Sequence, residues 1–246
     1  MANLSPSTTS QLKVVDVGRG MAWLTGGFDY FKKDALAWIG VTILLFVITL
    51  ALSFVPVLGS VAVQILMPVF IAGLMLGCRA REQGGEFNVV HLFAGFRQQT
   101  GQLIVLGLLY LAAVIVLVIL ILILTIIGMG TGFLDNLGEG DVVTLRENFR
   151  FVMLVVLITL ALYVPLIMAI WFAPALVVLR NATAVDAVKL SFQGCLLNII
   201  PFLLYGLIML VLSIIAIIPL GLGFLVLVPV VMASVYVAYR DIYPEK

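Results

Sequence analysis

Four stretches, residues 35–78, 98–134, 151–179 and 190–239, contain no Asp, Glu, Lys or Arg. A hydrocarbon layer about 30 Å thick takes about 20 apolar residues per helical crossing, so the first and last stretches hold two crossings each and the middle two hold one. That makes six spans. Hydrophobic residues make up 64% of the chain, charged residues only 10%, and mean hydropathy is +1.28. So much apolar surface excludes an ordinary soluble domain. In lipid, backbone N–H and C=O groups must be satisfied within the chain, so the expected class is an all-α integral membrane protein.

Basic residues set the expected orientation. Eleven of them (Lys13, Arg19, Lys32, Lys33, Arg79, Arg81, Arg97, Arg180, Lys189, Arg240 and Lys246) fall on one side of the six crossings, and Arg146 and Arg150 fall on the other. The positive-inside rule then puts both termini in the cytosol. The opposite side carries Asp135, Glu139, Asp141 and Glu147 and is weakly acidic. Residues 1–20 read as a cytosolic tail, since the basic residues stand too far before the apolar run for a cleavable signal. The Ser- and Thr-rich residues 3–11 read as disordered.

The membrane region, residues 21–243, divides into three similar units at about 21–82, 86–180 and 183–243. Each odd span is preceded by a Phe with a polar residue six positions on: Phe28 with Asp34, Phe96 with Gln102, Phe192 with Asn198. Each even span has Pro followed four positions later by Ala: Pro68/Ala72, Pro165/Ala169 and Pro229/Ala233. Repeats of this kind predict three parallel hairpins, each preceded by an interfacial amphipathic helix. In 89–98, Val89, Leu92, Phe93 and Phe96 share one predicted face, with His91 and Arg97 elsewhere. In 181–192, Thr183 caps a helix bearing Val185, Val188, Leu190 and Phe192, with Asp186 suited to its positive end. Trp23, Phe28, Tyr30, Phe31 and Trp38 are expected in an aromatic belt at the inner surface.

Pro68, Pro165 and Pro229 are candidate kinks, since proline removes a backbone donor. The small pairs Gly73/Gly77, Ala169/Ala173 and Ser234/Ala238 stand at four-residue spacing, which permits close helix approach in lipid. They predict that the even spans converge on a central axis. Lys32, Lys33, Arg79, Arg81, Arg97, Arg180 and Lys189 are candidate lipid-headgroup contacts, each well-placed charge being worth about 1 kcal/mol toward anionic lipid.

Catalytic patterns are lacking. The lone His91 has no second ligand at metal spacing, and no nucleophile set or phosphate loop occurs, so no enzyme activity and no cofactor or metal is expected. A formal charge of +1 argues against nucleic acid as a partner. Cys78 and Cys195 read as reduced packing residues. The spans contain no charged group of the kind that marks proton relays or voltage sensors. Thr42, Thr49, Gln64, Tyr110, Thr159, Tyr163, Asn198, Tyr205 and Ser213 are the intramembrane polar groups, and Gln64 is the most unusual of them.

The runs Leu92-Phe93-Ala94-Gly95-Phe96-Arg97, Ala72-Gly73-Leu74-Met75-Leu76-Gly77-Cys78-Arg79-Ala80, Trp171-Phe172-Ala173-Pro174-Ala175-Leu176-Val177 and Tyr239-Arg240-Asp241-Ile242 resemble a family of uncharacterised proteobacterial six-span inner-membrane proteins. In layout the chain is also similar to YciC-type membrane proteins and to the membrane domain of some glycerophosphodiester phosphodiesterases, without their soluble catalytic domain. The resemblance implies a bacterial inner-membrane location and brings no catalytic residues. The function expected is non-enzymatic scaffolding or modulation of envelope components or lipids. The alternative is a transporter or channel for a small uncharged or apolar solute. Three parallel hairpins also build the mitochondrial carriers, but the charged gate residues that should follow their prolines are missing here.

Overall fold

The computed structural model describes residues 12–129 and 142–244, with all of their side chains except those of 128, 129, 142–148, 150 and 151. The 3–11 tail and the link carrying Asp135, Glu139 and Asp141 lie outside the described residues, as do the side chains of Arg146, Glu147 and Arg150. The described residues form α1 (Arg19–Lys33), α2 (Ala35–Ser53), α3 (Leu58–Glu82), a 3-10 helix (Val89–Phe96), α4 (Thr100–Met129), α5 (Val142–Trp171), α6 (Ala173–Arg180), α7 (Ala184–Leu197), α8 (Ile199–Ile217) and α9 (Phe224–Ile242). No strand occurs among them.

Six segments are long and apolar enough to cross a membrane: Ala35–Ser53, Leu58–Glu82, Thr100–Ile127, Val152–Arg180, Ile199–Ile217 and Phe224–Ile242. Their outward surfaces are apolar: Phe46, Val116, Ile126 and Leu203 are all well exposed, as suits faces turned to lipid. Their hydroxyls are satisfied locally. Thr42, Thr49 and Thr159 donate to the carbonyls of Trp38, Leu45 and Val155 one turn back, as hydroxyls in lipid must.

The chain forms two compact units. One consists of Leu109–Ile167, which takes in the later part of α4 and most of α5. The other, Met1–Leu108 with Met168–Lys246, holds the buried core. There Trp23, Trp38, Phe172, Tyr236 and Tyr239 are almost completely enclosed among Leu74, Met75, Leu92, Leu103 and Leu176. Trp23, Phe31 and Trp38 therefore fill the protein interior rather than a lipid-facing belt; Phe28 remains exposed. The indole of Trp38 stacks on Phe87 at 3.9 Å, which explains why an aromatic at this position turns inward.

The helix from Val142 breaks at Phe172, ahead of Pro174. Pro174 has no N–H, and its ring crowds the carbonyl one turn earlier. Ser191 fills the gap: its Oγ accepts the Phe172 N–H at 2.9 Å and donates to Met168 O at 2.7 Å. Pro68, Pro165 and Pro229 lie inside α3, α5 and α9, which run on past them.

Candidate functional site

Charged and hydrogen-bonding groups cluster where the core-bearing unit ends in charged residues, around the three segments that precede the odd-numbered spans. Each segment is seated on an even-numbered span through a small residue. A Cβ on Gly27 of α1 would collide with Val230 O and Ser234 N of α9. One on Gly95 of the 3-10 helix would collide with Val69 O of α3. Ser191 of α7 holds Met168 O of α5. The 3-10 helix and α7 each meet the even-numbered span that precedes them in the chain, and α1 meets the last span. α1 makes its most extensive contact with α9 and also touches α8, where Gly20 leaves no room for a side chain against Pro201 O.

The buried faces of these segments are made of small residues as much as large ones. In α7 they are Ala184, Ala187, Ser191, Gly194 and Cys195, while Val185 is exposed. Of the apolar residues expected on this helix, Val188 and Leu190 pack against the core and Phe192 is half-buried. Thr183 does cap α7, accepting the Asp186 N–H. Residues 89–96 form a 3-10 helix, so positions three apart coincide. Leu92 and Gly95 point inward, whereas Phe93 and Phe96 lie outward, separated from Leu92 by the tighter turn.

Gly73 and Gly77 of α3 face this 3-10 helix rather than another even span. A Cβ at Gly73 would strike the carbonyls of His91 and Leu92, and one at Gly77 would strike the Phe87 ring. Ser234 bonds Tyr205 Oη at 2.7 Å and abuts Gly27. Ala173 and Ala238 are buried, and Ala169 is half-buried. α3 meets both α6 and α9.

The three polar residues that follow the Phe markers all bind neighbouring segments. Asp34 pairs with Arg81 at 3.1 Å. Gln102 Oε1 accepts the Ala184 N–H that opens α7 at 2.8 Å. Asn198 accepts the Val15 N–H at 2.8 Å and donates to Lys13 O at 3.1 Å. The chain ends are joined further: Lys13 N–H bonds Ile242 O at 2.9 Å, and Asp241 receives both Arg19 Nε and Trp23 Nε1 at 2.7 Å.

Four of the seven candidate headgroup residues are engaged within the protein. Lys32 pairs with Asp29 at 2.8 Å and lies over Phe28. Its hydrogen bond and charge hold the Asp29 carboxyl below the usual range. Lys33 lies over Tyr30, Arg81 holds Asp34 and Gly85 O, and Arg180 grips Tyr239 Oη and the carbonyls of Tyr243 and Pro244. Arg79, Arg97 and Lys189 make no ion pair among the described residues. Burial, with Glu82 nearby, pushes the Tyr30 phenol up to about 12, and burial pushes the Cys195 thiol up to about 12.

Two cavities accompany this region. A groove of about 630 Å³ is bounded by Met21, Leu24 and Phe28 of α1 and by α8 and α9. A second, about 390 Å³, lies on the 3-10 helix, lined by Asn88, Val90, His91, Ala94, Arg97 and Gln98. Neither is lined by Gln64 or Tyr163. Among the described residues no group of three His, Cys, Asp or Glu side chains stands at metal-binding distance.

Six apolar helices of membrane-spanning length define a multi-pass α-helical membrane protein. A probable inner membrane protein of Burkholderia thailandensis is 30% identical over 205 residues, covering 80% of this chain and 74% of the relative. The chain belongs to that family of multi-pass inner membrane proteins. No family model and no solved structure matches it.

Proposed function

We propose that this is a non-enzymatic inner-membrane protein, with both termini in the cytosol, whose cytosolic collar binds membrane lipid and scaffolds envelope components. The observation that carries the reading is the seating of three pre-span segments on three even spans, with Arg79, Arg97 and Lys189 left for outside partners. Within the core-bearing unit Trp23, Trp38, Phe172, Tyr236 and Tyr239 are almost completely buried, which favours a packed scaffold over a conduit. The three hairpins are read as copies of one unit. The equivalent placements of Gly27, Gly95 and Ser191 support that reading, as do the matching roles of Gln102 and Asn198.

The test is purification of the full chain in polymer discs of native membrane, with the disc lipid compared with bulk lipid. Anionic lipid should be enriched around the wild type, and the triple change Arg79→Gln, Arg97→Gln, Lys189→Gln should reduce that enrichment. Composition indistinguishable from bulk would sink the lipid reading. Flux of small neutral solutes from liposomes holding the protein, at a rate above empty vesicles, would replace it with transport.

A further inference from the structure

We propose that the cavity lined by Asn88, Val90, His91, Ala94, Arg97 and Gln98 binds the phosphate of a phospholipid headgroup. The assignment rests on the collar's facing the inner leaflet and names the place on it that holds lipid. A 3-10 helix repeats every three residues, so Val89–Phe96 sorts its side chains into three stripes. Leu92 and Gly95 enter the core, and no side chain could replace Gly95 against Val69 O. Val90, Phe93 and Phe96, 61%, 41% and 40% exposed, form an apolar stripe suited to the acyl region. His91, Ala94 and, just past the helix, Arg97 form the third stripe, which lines the cavity together with Val90 of the apolar stripe. The small Ala94 leaves room between the two larger side chains.

The chemistry of this stripe selects an anion. Asn88 caps the helix, and its own N–H bonds His91 Nδ1 at 3.0 Å. His91 Nδ1 also stands 3.1 Å from Asn88 O, so the ring is held by the residue that opens the helix. Arg97 adds a guanidinium that pairs with no carboxylate among the described residues, and a guanidinium suits phosphate oxygens. Gln98 adds amide N–H groups. Donors beside an exposed apolar stripe at a membrane surface match a molecule that is phosphate at one end and hydrocarbon at the other.

The test uses the full chain in detergent, presented with phosphatidylglycerol or with diacylglycerol of the same acyl chains, and native mass spectrometry to count retained lipid. Wild type should retain phosphatidylglycerol over diacylglycerol. Arg97→Gln should lower that retention about fivefold, the worth of one well-placed charge, and by more than Lys189→Gln lowers it. Ala94→Phe, which fills the cavity and keeps every charge, should match Arg97→Gln and decides the matter if the latter misfolds. Equal losses from Arg97→Gln and Lys189→Gln, with none from Ala94→Phe, would overturn the site while leaving diffuse lipid binding intact. Equal retention of the two lipids would overturn both. Displacement by millimolar inorganic phosphate would overturn the lipid assignment in favour of a soluble anion.

Discussion

A methyl group on Gly27 would have to displace the backbone of α9 at Val230 and Ser234. Overpacking of this kind costs about 1–3 kcal/mol, so Gly27→Ala should lower the melting temperature in detergent, by about 2–4 °C per kcal/mol. Gly18, which has open space around it, is the control: Gly18→Ala should melt close to wild type. Tyr30 has a different signature. Its phenol is favoured in the neutral form by burial and by Glu82, so its folded value, about 12, stands above the ordinary 10. Stability from this group is therefore full below pH 10 and is lost as pH rises from about 10 to 12. Melting should fall across that window, and Tyr30→Phe should flatten the fall. Cys195, its thiol held up to about 12 by burial, should resist maleimide at pH 8 in the folded protein and react once it is denatured. The sequence marked Cys195 as a packing residue from its type and place, but nothing in it marked Gly27 as a seat for α9. Both partners are apolar and stand some 200 residues apart, so only the fold brings them together.

At the level of elements, the break at Phe172 is the clearest case of a feature hidden in the sequence. Pro165 stood out because it recurs at equivalent places in the even spans, yet the helix runs through it and breaks ahead of Pro174. The deciding residue is Ser191, nineteen positions away in α7, whose hydroxyl takes both backbone groups the break exposes. Ser191→Ala removes that acceptor for the Phe172 N–H, and a buried donor left unmet costs about 1–3 kcal/mol. The expected result is a lower melting temperature, with faster amide exchange at Phe172. Six crossings were legible because hydrocarbon thickness translates directly into run length. The pre-span segments were legible as elements, but not the faces they bury. An α-helical period places Phe93 and Phe96 on one face with Leu92, whereas the 3-10 period sets them on a different stripe, and nothing in these eight residues marks the tighter turn. In α7 the packing face consists of Ala, Ser, Gly and Cys, and hydrophobic periodicity looks past small residues.

For the whole molecule, the charge asymmetry predicts that a reporter fused after Glu139 is active outside the cytosol and one fused after Lys246 inside it; the reverse pattern would invert the topology. The contacts between the chain's ends have another consequence. Lys13 bonds Ile242, and Asp241 holds Arg19 and Trp23 across 222 and 218 positions of sequence, so the first helix leaves the ribosome long before its main partner exists. Throughout synthesis the Trp23 and Gly27 face stands unfilled at the membrane surface, and contacts so distant in sequence form late. Only the finished polypeptide can cover it. An insertase or protease reading that bare face would distinguish a complete chain from an aborted one. A chain stopped before Phe224 should therefore be degraded faster than the full-length protein, even though five of its six spans are already in place.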